Sequence, residues 1–132
     1  MKTEDIEKKL IRTNDFDKNM IKENAPTEFS ILLNKYLDEK EQTKAEVIRK
    51  LNINRNYGYL IFNGNRIPTR NCIIQMGLIL KLDIDEINNM LKSAEKPPLY
   101  VRNVVDAKVF YAVKHDMEYL EAVDFIWKET IV

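Results

Sequence analysis

The chain has 132 residues, 45% of them hydrophobic, with 21 basic and 21 acidic side chains and therefore no net charge. That length admits one compact domain with an arm, and the apolar share can supply a core. Neutrality excludes the uniformly basic type of nucleic-acid binder. The single cysteine excludes an internal disulfide and points to a reducing setting, expected to be cytoplasmic. No stretch approaches the ~18 apolar residues of a membrane span, so no membrane partner is expected. With three Gly, four Pro and few alternating runs, the expected fold class is all-α.

Residues 1–25 mix charge clusters with sparse apolar positions, Ile6, Leu10, Ile11, Phe16, Met20 and Ile21, broken by Asn14, Asn19 and Asn24. They are expected to form an N-terminal arm, partly helical or disordered. Pro26-Thr27 starts a first helix, whose Phe29, Leu32, Leu33, Tyr36 and Leu37 recur at three- and four-residue steps. Thr43-Lys44-Ala45-Glu46 has the Thr-x-x-Glu form of a capping box and opens a second helix over about 44–51. Leu51-Asn52-Ile53-Asn54 interrupts it: Asn52 tolerates a left-handed backbone, and Asn54 can cap a third helix over about 55–62. A basic loop, Asn63-Gly64-Asn65-Arg66, leads into a fourth helix over about 70–81 with Ile73, Ile74, Met76, Gly77 and Leu80 inward. Asp83-Ile84-Asp85-Glu86 is a second capping signature, opening a fifth helix to about Ser93.

Pro97-Pro98 stops that helix and forces extended backbone. Beyond it, Val101, Val104, Val105, Val109, Ala112 and Val113 share one face of a sixth helix. Asp116 is the expected cap of a seventh, with Tyr119, Leu120, Val123, Ile126 and Trp127 as its apolar set. Two such short helices are expected to pack on the preceding unit or on a second copy of the chain. The expected divisions are an arm over 1–25, a domain over 26–96 and a helical extension over 97–132.

Charge is distributed unevenly along this plan. Residues 1–42 hold 8 basic and 10 acidic side chains (net −2), 43–70 hold 6 and 1 (net +5), and 71–132 hold 7 and 10 (net −3). Lys44, Arg49, Lys50, Arg55, Arg66 and Arg70 therefore concentrate where two short helices and a basic loop meet, a pattern suited to phosphate. The alternative is a solvated basic face without a partner. Catalysis has no comparable signal: His115 and Cys72 are single residues of their kind without metal-ligand spacing, the acidic pairs are explained as caps, and no glycine-rich phosphate loop exists. Neither an enzyme nor a cofactor is expected.

Residues 27–92 resemble the helix-turn-helix domain of the lambda-repressor and Cro class, the XRE family. The match rests on Ile53 in the turn, Ile61 in the third helix, Asn63-Gly64, Arg66 and Pro68 in the loop, and Leu80 and Leu82 closing the fourth. The resemblance implies a five-helix lambda-repressor-like domain with two additional C-terminal helices and an N-terminal arm. It implies sequence-specific binding of duplex DNA through the third helix, with Arg55, Asn56, Tyr59 and Leu60 offered to the major groove and Lys44, Asn63, Arg66 and Arg70 holding the backbone. Tyr57 reads as a core or rim aromatic, Tyr59 is readable either as that or as a DNA contact, and Leu60 is readable as part of a protein interface. Three positions depart from the pattern: Ile48 where a small residue is usual, Asn52 for the turn glycine, and Gly58 for a branched residue. A large Ile48 could fill the space that Gly58 leaves. A small transcriptional regulator acting as a homodimer is the expectation, with Val105, Val109, Val113, Leu120, Val123 and Trp127 contributing to the dimer directly or by packing its scaffold. The alternative is a helix-turn-helix adaptor or antitoxin-like partner of a second protein, such as a toxin, kinase or defence component.

Overall fold

The computed structural model describes residues 27–128, so the expected arm over 1–25 lies outside the described residues. Seven helices and no strands are present among them: α1 (Glu28–Glu39), α2 (Lys44–Leu51), α3 (Arg55–Phe62), α4 (Arg70–Ile79), α5 (Ile84–Ser93), α6 (Val104–Lys114) and α7 (Tyr119–Trp127). The all-α expectation is met. Helix α4 is two residues shorter than its apolar run suggests, because Lys81 turns left-handed at φ 57°.

Cap chemistry explains the helix starts. The hydroxyl or amide oxygen of Thr27, Thr43, Asn54, Thr69 and Asn103, and a carboxylate oxygen of Asp83, each accept from the third amide of the helix that follows. Thr27–Ser30 and Asp83–Glu86 are full reciprocal boxes. At Thr43 the box is altered: the hydroxyl accepts from the Glu46 amide and donates to the Glu46 carboxylate at 3.1 Å. Helix α7 alone starts without a side-chain cap, at Glu118. Asp116, expected in that role, instead lies left-handed at φ 48° and accepts from Lys81 Nζ at 3.3 Å.

The helix ends follow one pattern. In α1, α3, α4, α5 and α6 the second residue past the cap donates back five positions, as in Gln42 N to Leu37 O, Asn65 N to Leu60 O and Leu82 N to Gly77 O. The left-handed residue of that motif is Gly64 after α3 but Glu41, Lys81, Glu95 and Asp116 after the other four.

The core sits among α1, α2, α3, α4 and α5. Phe29, Leu33, Ile61, Ile74, Ile87 and Met90 are wholly buried there. Helix α1 packs on α3 and α5, α2 on α3 and α4, and α4 on α5. Two close approaches fix the packing. A Cβ on Gly58 would lie 2.6 Å from Ile48 Cγ1, so Ile48 does occupy the space above Gly58. The same relationship recurs between Gly77 and Ile87 Cγ1, also at 2.6 Å.

The extension closes onto this unit: α6 packs on α7, and α7 on α4. Its inward face differs from the apolar stripe in the sequence. Val101 precedes the helix and is exposed, Val104 is 71% exposed, and the buried positions of α6 are Asp106, Val109 and Ala112. In α7 the buried residues are Ala122 and Ile126, while Leu120 is 71% exposed. The small Ala122 has no exposed surface and belongs to the core.

The connection between the two parts is stapled throughout. Arg70 Nε donates to Pro97 O at 3.1 Å and Arg70 Nη2 to Pro98 O at 2.9 Å. Asn88 Oδ1 accepts from Leu99 N at 2.9 Å, and Asp106 Oδ2 accepts from Tyr100 N at 2.9 Å. The five donors of one guanidinium serve both proline carbonyls and the Asp106 carboxylate together.

Candidate nucleic-acid interface

Helices α2 and α3 are joined by the left-handed Asn52 (φ 56°), half-buried Ile53 and the cap Asn54, whose Oδ1 accepts from Tyr57 N at 3.2 Å. Only glycine and short polar residues enter that backbone region cheaply, so Asn52 can stand where a glycine is usual. The other end of α3 is held by Asn34 of α1, whose Nδ2 donates to Phe62 O at 3.0 Å. An eight-residue helix containing a glycine is thereby tied at both ends.

Its first turn is open to solvent. Arg55 and Asn56 are exposed, and among the described residues Arg55 takes part in no ion pair. The Arg55 guanidinium lies 5.7 Å from the centroid of the Tyr59 ring, which positions the charge without neutralising it. Tyr59 and Leu60 are half-buried, and Tyr57 packs against the core edge. Arg49, Ile53, Arg55 and Tyr59 line a cleft of about 410 Å³ between α2 and α3. Arg49 was visible in the sequence only as part of the basic stretch; its place beside Arg55 comes from the angle of the two helices.

Around this turn, Lys44 Nζ sits 6.0 Å over the Phe62 ring. Asn63 is exposed at the end of α3, and Arg66 is exposed in the loop, donating to the neighbouring Asn65 carbonyl at 2.8 Å. Arg70, expected to hold the DNA backbone, is engaged within the chain. Its guanidinium turns inward to meet the Asp106 carboxylate through two bonds of 3.0 and 2.8 Å, and its remaining donors hold Pro97 and Pro98. Asp106 is 3% exposed and has to be paired. Burial by itself would raise its pKa. The Arg70 hydrogen bonds, the Tyr100 amide and the Arg70 charge outweigh that and hold the carboxyl below the usual range.

Of the residues expected to contribute to a dimer directly or by packing its scaffold, most are used within the chain. Val109 has no exposed surface and cannot touch a second copy. Val105, Val113 and Trp127 are half-buried against the core, Val123 is half-buried, and Leu120 alone of the six is exposed. Cys72 is half-buried, and burial pushes its thiol up to about 11, so it is protonated and unreactive at neutral pH.

Compared with known proteins, the chain matches no family model, and no curated protein or solved structure is significantly similar to it.

Proposed function

We propose that the chain binds duplex DNA as a small regulator of the lambda-repressor and Cro class, placing the first turn of α3 in the major groove. The observation that carries this reading is the exposed pair Arg55 and Asn56 at the start of a helix fixed at both ends. Arginine can pair bidentately with guanine O6 and N7, and asparagine with adenine N6 and N7. Lys44 and Arg66 flank that turn as phosphate contacts, and Arg49 joins them from the neighbouring cleft. A homodimer would supply two half-sites and the specificity that one short helix lacks. A second reading, a protein-binding adaptor, draws on a different surface: Tyr100, Val101 and Val104 are each more than half exposed at the start of the extension.

A salt titration against random-sequence duplex separates the two. DNA binding through Lys44, Arg49, Arg55 and Arg66 should weaken steeply as salt rises, and Arg66→Ala should reduce the log–log slope by about one unit for every sequence tested. Binding that is absent at low salt, or whose slope ignores Arg66, would favour the adaptor.

A further inference from the structure

A second cleft, of about 560 Å³, opens where the end of α2 meets the start of α7. Arg49, Lys50 and Asn52 form one wall, and Glu118, Tyr119 and Leu120 the other, with Ile79 and Lys81 at the end of α4 between them. Three cations thus face a single carboxylate. Among the described residues Arg49 and Lys50 join no ion pair, whereas Lys81 is held at the rim by Asp116 and by the Met117 carbonyl at 2.8 Å. The opposite wall leaves Leu120 in water at 71% exposure. Unneutralised positive charge beside uncovered apolar surface is complementary to a molecule with an anionic head and an apolar body.

The dimensions select the size of that molecule. The volume falls within the roughly 300–1,000 Å³ of small-ligand sites. We infer that this cleft binds a small organic anion, its carboxylate, sulfonate or phosphate group held by Arg49 and Lys50 and its apolar part lying on Tyr119 and Leu120. Occupancy bridges the C-terminal helical pair to α2. Arg49 also lines the cleft beside Arg55 and Tyr59, so a ligand that draws its guanidinium away would alter the charge presented there. The site does not depend on the DNA reading.

The probe is 8-anilinonaphthalene-1-sulfonate, which joins an anionic group to an aromatic body, set against its neutral counterpart N-phenyl-1-naphthylamine. Both are titrated by fluorescence into the full chain without DNA, and the site is located by amide shifts in ¹⁵N NMR spectra. The sulfonate should perturb residues 49–52, 79–81 and 118–120 and bind about tenfold more tightly than the neutral compound. Arg49→Gln with Lys50→Gln should weaken it by about tenfold or more, and Leu120→Gln should also weaken it, while Lys92→Gln on α5 removes one charge without effect. All replaced side chains are exposed, and a thermal melt of each variant checks that the fold is kept. The inference is overturned if the perturbed amides lie elsewhere, if the neutral compound binds equally well, or if the double variant binds like the parent. Because the readout contains no DNA, its failure and that of the DNA reading are separate results.

Discussion

The guanidinium of Arg70 and the carboxylate of Asp106 meet in parallel across 36 residues of sequence, through bonds of 3.0 and 2.8 Å. Asp106 is almost wholly buried and Arg70 keeps 27% of its side chain exposed, so the two partners are not equivalent. Arg70→Ala strands a carboxylate in the interior and should cost about 3–5 kcal/mol. Asp106→Ala leaves an arginine that can reach water and should cost less, about 2–3 kcal/mol, chiefly from the unpaired Tyr100 amide and the lost Arg70 bonds. Arg70→Lys should not rescue, since one ammonium cannot serve two carboxylate oxygens and two carbonyls together. Urea unfolding of the three variants measures the order, and equal losses would place the pair in effectively bulk solvent.

The same pair gives the fold a pH dependence of defined sign. The folded-state pKa of Asp106 lies below its ordinary value of about 3.9, so the stabilisation is complete above that value and is lost as pH falls through the folded value. The melting temperature of the parent should therefore fall more steeply below about pH 4 than that of Asp106→Asn. Parallel curves for the two proteins would show that the pair contributes no linkage.

Ile48 and Gly58 offer a test of packing. Ile48 is 4% exposed, and its branched Cβ leaves little freedom to move aside for a new methyl at Gly58. Ile48→Ala should cost about 2–5 kcal/mol. Gly58→Ala should destabilise the parent but stabilise the Ile48→Ala background, where it fills the cavity and removes a helical glycine worth about 1 kcal/mol. A coupling of about 1–2 kcal/mol is expected in the double-mutant cycle, and strict additivity would mean the side chains do not touch.

Much of this architecture was legible because its determinants are local. Thr43, Asn54 and the Asp83–Glu86 box announce helix starts through bonds spanning three residues, and Asn52 announces the turn through its backbone tolerance. The misreadings arose where the deciding partner is distant. Arg70 reads as a phosphate contact in the sequence, and its partner Asp106, 36 residues away, carries no local signal that would say otherwise. Leu120 joins the apolar set of α7 by residue type, yet it is exposed while Ala122 is wholly buried. The candidate interface shows the same division: residue types and net charge were readable, whereas the pairing of Arg49 with Arg55 in one cleft required the angle between α2 and α3.

Truncation after Lys96 tests how far the extension supports the rest. It removes Asp106 and the carbonyls of Pro97 and Pro98 from Arg70, and it uncovers the surface of α4 against which α7 packs. Residues 27–96 should stay helical by circular dichroism but melt at least roughly 10 °C lower, the equivalent of about 2–3 kcal/mol for a unit of this size. An unchanged melting temperature would make the extension a passive appendage.

The left-handed residues that close α1, α4, α5 and α6 have a consequence for how much sequence change the chain can absorb. Glu41, Lys81, Glu95 and Asp116 each carry a Cβ where glycine would carry none, at roughly 1 kcal/mol apiece. At Lys81 and Asp116 the side chains recover something by pairing with each other, but Glu41 and Glu95 enter no salt bridge among the described residues. The fold therefore stands below its attainable stability at two exposed positions that line neither cleft. These positions form a reserve of stability against which costly replacements elsewhere in the chain can be offset.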